Sequence, residues 1–210
     1  MRDQKRILYD TIIGAHAEGA LKIDAPFLTF ADVMECIREI ARLLDGNAEN
    51  LAANTLQTWL KSRVTIQEDR ATRNRLFSGL DLIHISSVAY LAHVAGVPIT
   101  LATEMAAAAM DELIAHPESY GKAGDAMAFA PGNYVIATPA RDREGYWDVL
   151  SPTNADEFRL RIMRAGAMYV FHFALLVGFA FPILGEKWRA KANWLKGVIE
   201  REIAKKKGNR

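Results

Sequence analysis

The chain has 210 residues, of which 50% are hydrophobic and 24% charged, so it can bury a core and is not a disordered polymer. Its single cysteine, Cys36, excludes an intrachain disulfide and a cysteine-based zinc site, and the five histidines lack metal-binding spacing. The charged N-terminal residues have no apolar signal core. We therefore expect a reduced, cytoplasmic protein.

Charge is distributed unevenly along the chain, although the formal net charge is only +1. Residues 54–78 carry a net charge of +3 and residues 161–210 carry +8, whereas residues 1–53 carry −3 and residues 79–160 carry −7. A polyanion such as DNA would be attracted to the two basic zones and repelled by the rest. Charge clustered by chance on solvated faces would give the same pattern.

Helical signals dominate the first third of the chain. Apolar residues at helical spacing predict a helix within residues 3–21, and Thr29 with Asp32 predicts the capped start of a second helix. The turn residues 45–47 should end that helix. A third helix is expected within residues 48–62, and a short β-hairpin within residues 64–77.

The next segment predicts two further helices. Ser78 and Asp81 form the pattern of a capping box for a helix that runs to about Ala95. Thr100 is expected to cap a second helix that ends near Ala115 and is rich in alanine. Small side chains allow a close helix neighbour, so this helix should pack tightly in a bundle or across a dimer.

The sequence changes character after residue 116, where glycine and proline separate short apolar runs. Residues 134–137 and 146–150 predict two strands, and residues 154–164 a helix. The nearly uncharged run 165–185 has the length of a membrane span, but its aromatic and β-branched residues favour a third strand followed by a helix. Residues 186–207 predict a basic amphipathic helix.

Residues 54–75 combine a polar helical face with basic charge. Leu56, Trp59 and Leu60 share one helical side and should face the core. Asparagine and glutamine can each form two hydrogen bonds with adenine, and lysine or arginine can read guanine or bind phosphate. We therefore expect DNA contacts from Asn54, Thr55, Gln57, Thr58 and Lys61 in the helix, and from Arg63, Arg70, Arg73, Asn74 and Arg75 in the basic ribbon. An ordinary helix and hairpin with solvated charges is the competing interpretation.

Two short motifs in this block resemble the MerR-type winged helix-turn-helix family. Residues 54–59, Asn-Thr-Leu-Gln-Thr-Trp, are similar to the family's threonine-leucine-aromatic helix, and residues 73–78, Arg-Asn-Arg-Leu-Phe-Ser, to the end of its wing. Residues 91–99 are similar to a later glycine-containing helix break of the family. The resemblance covers about residues 36–113 and implies a DNA-binding regulator that works as a dimer.

Together these observations predict a mostly α protein with a small β component, built from a winged helix-turn-helix, a helical bundle and a small C-terminal α+β region. The expected divisions are an N-terminal helical extension (1–35), a MerR-like domain (36–115), an α+β region (116–185) and a basic amphipathic helix (186–210).

The predicted function is sequence-specific binding of double-stranded DNA by a homodimeric transcriptional regulator, and a phage-type packaging or excision accessory shares the same motif. The alternative is a protein-interaction or membrane-anchored adaptor that uses the 165–185 run and the basic tail. No catalytic constellation or cofactor motif is present in the sequence, so we expect neither an enzyme nor a cofactor or metal site. Cys36 and His172 are expected to be buried structural residues, and His84 and His93 to be core or surface residues and not metal ligands.

Overall fold

The computed structural model describes residues 23–45, 76–115, 134–140, 144–152, 155–164 and 167–208. These residues form a mostly helical structure with one small antiparallel sheet, as the composition and periodicity predict. The elements, in chain order, are α1 (Phe30–Asp45), α2 (Gly79–Ala89), a π-helical turn (Tyr90–Val94), α3 (Ile99–Ala115), β1 (Tyr134–Pro139), β2 (Trp147–Leu150), α4 (Ala155–Arg164), β3 (Tyr169–His172) and α5 (Phe173–Gly208). The helices predicted within 3–21 and 48–62 and nearly all of the predicted hairpin lie outside the described residues.

Helix α1 begins at the predicted cap. The Thr29 backbone N–H donates to Asp32 Oδ2 at 2.8 Å, and the Asp32 N–H donates to Thr29 Oγ1 at 3.2 Å. This reciprocal pair satisfies backbone donors that the first turn of a helix leaves free. The helix buries the predicted stripe of Val33, Ile37 and Ile40 and ends at Asp45, where the turn signal begins.

Helix α2 is the central element of the core. Its predicted capping box is present, because the Ser78 N–H donates to Asp81 Oδ2 at 2.9 Å and the Asp81 N–H donates to Ser78 Oγ at 3.0 Å. The helix is buried on nearly every side, since α1, α3 and α5 all pack against it. It continues to Ala95 through the π-helical turn, in which the Ala95 N–H donates to the Tyr90 carbonyl at 3.0 Å.

Helix α3 begins earlier than the sequence indicated. It starts at Ile99, so Thr100 lies inside the first turn and does not cap it. The Pro98 carbonyl accepts the first helical hydrogen bond, from the Ala102 N–H at 2.8 Å, which makes Pro98 the boundary residue.

The alanine-rich face of α3 is used inside the chain. Ala102, Ala106 and Ala109 are fully buried, and α3 packs against α2 and against the strands β1 and β2. Close helix packing therefore accounts for these small residues. Of the two arrangements expected for this helix, a bundle or a dimer, the described structure shows packing within one chain.

The sheet consists of the two predicted strands and the predicted third strand, has the strand order β2-β1-β3 and is antiparallel throughout. Ile136 lies opposite Leu150 on one side and opposite Val170 on the other. Val135, Ala137 and Phe171 belong to the other side of the sheet and are part of the main core.

The apolar run 165–185 supplies β3 and the first turns of α5. Phe173, Leu176 and Val177 are fully buried in the core, so the interpretation as a strand followed by a helix is confirmed. The basic helix expected from Glu186 is the second half of a longer helix that begins at Phe173 and contains Pro182 in its interior. Burial of residues on both sides of Pro182 offsets the lost backbone hydrogen bond. None of the described helices has an apolar stretch long enough to cross a membrane.

Candidate nucleic-acid interface

All ten predicted DNA-contacting residues fall within residues 46–75, which lie outside the described part of the chain. They are Asn54, Thr55, Gln57, Thr58, Lys61, Arg63, Arg70, Arg73, Asn74 and Arg75. The structure describes instead the residues on either side of this segment. They determine which parts of the protein the segment leaves and rejoins.

Residues 76–77 return the chain to the start of α1. The Phe77 N–H donates to the Leu28 carbonyl at 2.8 Å, and the Phe77 carbonyl accepts from the N–H groups of Phe27 and Leu28, both at 2.9 Å. This antiparallel bridge involves Phe77 of the wing-like motif and the two residues that precede the α1 cap. The segment 46–75 thus leaves from the end of α1 and rejoins the protein beside its beginning.

Gly79 marks a second close contact beside this bridge. The Leu80 N–H donates to the Ile23 carbonyl at 3.1 Å. A Cβ atom on Gly79 would lie 2.7 Å from Ile23 Cγ1, 3.0 Å from the Ile23 carbonyl oxygen and 3.2 Å from Leu184 Cδ1. Three chain segments therefore meet where only glycine fits.

Helix α5 is attached to α1 by two ion pairs. Lys191 Nζ lies 2.8 Å from Asp32 Oδ2, and Lys187 Nζ lies 2.7 Å from Glu35 Oε2. Between these pairs and the bridge, Trp188 packs edge-on against Phe27 with ring centroids 4.9 Å apart. Two of the lysines that make the C-terminal zone basic are thus neutralised by α1.

The protonation of these groups follows from their partners. Burial raises the pKa of Asp32, but hydrogen bonds from Lys191 and Thr29 outweigh it and leave the pKa below its usual value. Burial lowers the pKa of Lys187, yet its hydrogen bond to Glu35 leaves that pKa above its usual value. Both groups therefore remain charged near neutral pH.

Sequence reasoning missed this attachment, although its signal is present. Asp32 and Glu35 are three residues apart, and Lys187 and Lys191 are four apart, so each pair lies on one face of its helix. These two faces are more than 150 residues apart in the sequence, so their contact is apparent only in the structure, where α1 and α5 are adjacent. Of the basic residues in α5, Arg189, Lys196 and Arg201 remain exposed.

The cysteine and the histidines among the described residues differ in their exposure to solvent. Cys36 is fully buried, and burial raises the pKa of its thiol to about 12. His84 is also buried, His93 is exposed, and His172, which was expected in the core, is half-buried. Within the described ranges, no three potential ligand side chains lie close enough together to hold a metal ion.

Comparison with known proteins does not assign this chain to a family. No protein-family model matches the sequence, and no match was found among curated proteins.

Proposed function

We propose that the protein binds double-stranded DNA in a sequence-specific manner and acts as a dimeric transcriptional regulator. The helix would present Asn54, Thr55, Gln57 and Thr58 to base edges in the major groove, while Lys61 would bind phosphate. The residues of the basic ribbon would hold the backbone or the adjacent minor groove; they are Arg63, Arg70, Arg73, Asn74 and Arg75.

The observation that carries this proposal is the occurrence of a polar helical face followed by a basic ribbon within residues 54–78 of the sequence. The described residues on either side of this segment are Asp45, at the end of α1, and Phe77, which is bridged to Leu28 just before α1. The two MerR-like motifs occur within and at the end of this segment, in the family's order.

The proposal also agrees with the distribution of charge. Residues 54–78 carry a net charge of +3, whereas α1 is acidic at Asp32 and Glu35. Because α5 neutralises these two carboxylates, they repel an approaching polyanion less than free carboxylates would.

The alternative of a membrane-anchored or protein-binding adaptor depended on the 165–185 run and the basic tail, of which Lys187 and Lys191 are paired with carboxylates of α1. Leu176, Val177 and Leu184 from this run are fully buried against other parts of the chain. These side chains are occupied by the core and are not presented to a partner. We therefore favour the DNA-binding proposal.

Selection of binding sites from random DNA duplexes tests the proposal directly. Gln57→Ala and Asn54→Ala should each lose about 1–3 kcal/mol of discrimination against the preferred base, while Lys61→Ala should weaken all sequences alike. Asn193→Ala is the control, because it makes the same asparagine-to-alanine substitution at an exposed position of α5. It should leave the preferred sequence unchanged. If the wild-type protein enriches no sequence, or if the preferred sequence survives both changes together with Thr58→Ala, this helix does not read bases.

A further inference from the structure

Helices α1 and α5 run antiparallel where they are joined by ion pairs. Lys187 is paired with Glu35. Lys191, one turn further along α5, is paired with Asp32 in the first turn of α1. Beyond Lys191, α5 therefore continues past the start of α1, which is also where Phe77 forms its bridge.

An aromatic contact joins α5 to this bridge. Trp188 packs against Phe27, and the Phe27 N–H donates to the Phe77 carbonyl at 2.9 Å. Phe77 belongs to the basic zone 54–78, and Trp188 belongs to the basic zone 161–210. The two basic zones, which are far apart in the sequence, therefore adjoin each other at this contact.

The part of α5 that follows Leu195 leaves the core. Leu195, 5% exposed, is the last buried side chain that the structure describes in this helix. A Cβ atom on Gly197 would have no neighbour within 4 Å. The helix continues to Gly208, about 20 Å further along its axis. We call residues 196–208 the α5 extension. Three of its charged side chains are exposed, namely Lys196, Glu200 and Arg201.

The α5 extension is basic. It carries a net charge of +3 from two glutamates and five basic residues, which are Lys196, Arg201, Lys205, Lys206 and Lys207. Lys187 and Lys191 do not add to this charge, because α1 neutralises them. The structure thus separates the lysines that hold α5 against α1 from Lys196 and Arg201, which are exposed to solvent.

We propose that the α5 extension binds the phosphate backbone of duplex DNA, next to the stretch that the basic segment contacts. This inference rests on the function proposed above and extends its contact surface to α5. Lys196 and Arg201 are five residues apart, so their directions from the helix axis differ by about 140°. A helix in a DNA groove has a phosphate backbone on each side, and two cations at this angle can reach both.

The geometry of Arg201 suits a phosphate ligand. Its Nε donates to the Gly197 carbonyl at 2.9 Å, which fixes the guanidinium against the helix. This bond uses one of the five N–H donors and leaves the two terminal amino groups to bind phosphate oxygens in pairs.

The placement of charge favours DNA over an anionic membrane surface. A helix that lies on a membrane keeps one apolar face and a basic face opposite to it. Lys196 and Arg201 lie on different sides of the α5 extension, and the neighbouring Leu195 is buried in the core. Glu200, one turn after Lys196, opposes the attraction locally and so offers a test of opposite sign.

Fluorescence anisotropy of the full chain with labelled duplexes at several salt concentrations tests the inference. Lys196→Gln combined with Arg201→Gln should reduce the slope of log affinity against log salt by about two units. It should weaken binding to every duplex about tenfold or more and leave the preferred sequence unchanged. Glu200→Gln should strengthen binding. Arg161→Gln, which removes an exposed positive charge from α4, is the matched control and should leave the slope unchanged.

The length of the duplex provides a second test. The α5 extension spans about 20 Å, or about six base pairs at 3.4 Å each. Lengthening a short duplex by about six base pairs on both sides should therefore raise the affinity of the wild type more than that of the double variant.

A double variant with the salt slope and affinity of the wild type overturns the inference. Tighter binding of the wild type to vesicles of phosphatidylcholine and phosphatidylglycerol than to duplex DNA also overturns it. If site selection enriches a sequence but the double variant binds normally, the proposed function stands and the α5 contact fails. If the wild type binds duplexes without preference and the double variant loses two units of slope, the sequence-specific function fails and the α5 contact stands.

Discussion

His84 is a buried histidine whose two ring nitrogens have no hydrogen-bond partner in the described structure. Burial lowers its pKa, and attraction to Asp81 and Asp111 compensates only in part. An unsatisfied buried polar group costs about 1–3 kcal/mol. His84 therefore makes the folded protein less stable than an apolar side chain at the same position would.

We expect His84→Leu to change the pH dependence of stability. The folded pKa lies below the ordinary value of 6.5, so the unfolded chain takes up the proton first as pH falls. In the wild type, protonation of His84 should therefore not affect the free energy of unfolding above pH 6.5. Below pH 6.5 it should lower that free energy by up to about 1.4 kcal/mol per pH unit.

Urea unfolding at about pH 7.5 and about pH 5 measures the effect of His84. His84→Leu should be as stable as the wild type or more stable at the higher pH, and should lose less stability at the lower pH. His93→Leu, at an exposed position, is the control. Identical pH dependence of wild type and His84→Leu would show that His84 does not titrate on unfolding in this range.

Gly79 gives a second prediction for a single residue. Gly79→Ala forces its Cβ against Ile23 and Leu184, and the resulting overpacking should cost about 1–3 kcal/mol of the free energy of unfolding. Gly197→Ala is the matched change, because Gly197 lies inside α5 with no neighbouring atom within 4 Å of the added Cβ. It should stabilise the protein by about 0.5–1 kcal/mol through the unfolded chain. In thermal unfolding, the Tm of Gly79→Ala should fall and that of Gly197→Ala should rise. Equal shifts in Tm would contradict the close approach at Gly79.

At the level of elements, the attachment of α5 to α1 is the feature that links the two ends of the described chain. Its two ion pairs differ in burial, because the Asp32 side chain is 16% exposed and that of Glu35 is 66% exposed. An exposed ion pair contributes little to the free energy of unfolding. Removing one partner of a shielded pair costs more, because the remaining charge is left without its partner. Of the two ion pairs, the one between Lys191 and Asp32 should therefore contribute more to stability.

Lys191→Ala should lower the free energy of unfolding by about 1–2 kcal/mol, and Lys187→Ala by about 0.5 kcal/mol or less. Chemical denaturation of the two variants under the same conditions provides the comparison. Lys196→Ala, an exposed lysine on the same helix, controls for the general loss of a positive charge. Equal losses from all three variants would mean that the ion pair with Asp32 has no special role.

At the scale of the whole molecule, the basic segment 46–75 should dominate electrostatic binding to DNA if the proposed function is correct. Arg75 lies two residues before Phe77, which forms the bridge to Leu28. Arg75→Ala should weaken binding to all duplexes about equally and reduce the slope of log affinity against log salt by about one unit. Fluorescence anisotropy at several salt concentrations measures that slope. Arg161→Ala in α4 should leave it unchanged, and an unaltered slope for Arg75→Ala would remove Arg75 from the interface.

The sequence by itself determined those features that depend on neighbouring residues. The caps at Thr29 and Ser78 need a partner only three residues away, and the apolar stripe of α1 repeats with the period of a helix. The strands around Ile136 and Leu150 were predicted for the same reason, because their residue types and turn signals are local. The third strand was predicted from its aromatic and β-branched residues, whereas the strand order and antiparallel pairing are known only from the structure.

Only the tertiary structure decided the features that depend on distant residues. The sequence predicted a separate basic helix from Glu186, but burial of residues on both sides of Pro182 keeps α5 continuous from Phe173. The alanines of α3 were compatible with a bundle or a dimer until α2 covered them. The bridge of Phe77 to Leu28 and the ion pairs of α5 with α1 join residues far apart in the chain, and no local pattern specifies which of them meet. Long-range packing, which local propensity does not encode, therefore determined how the helices and the ends of the basic segment are arranged.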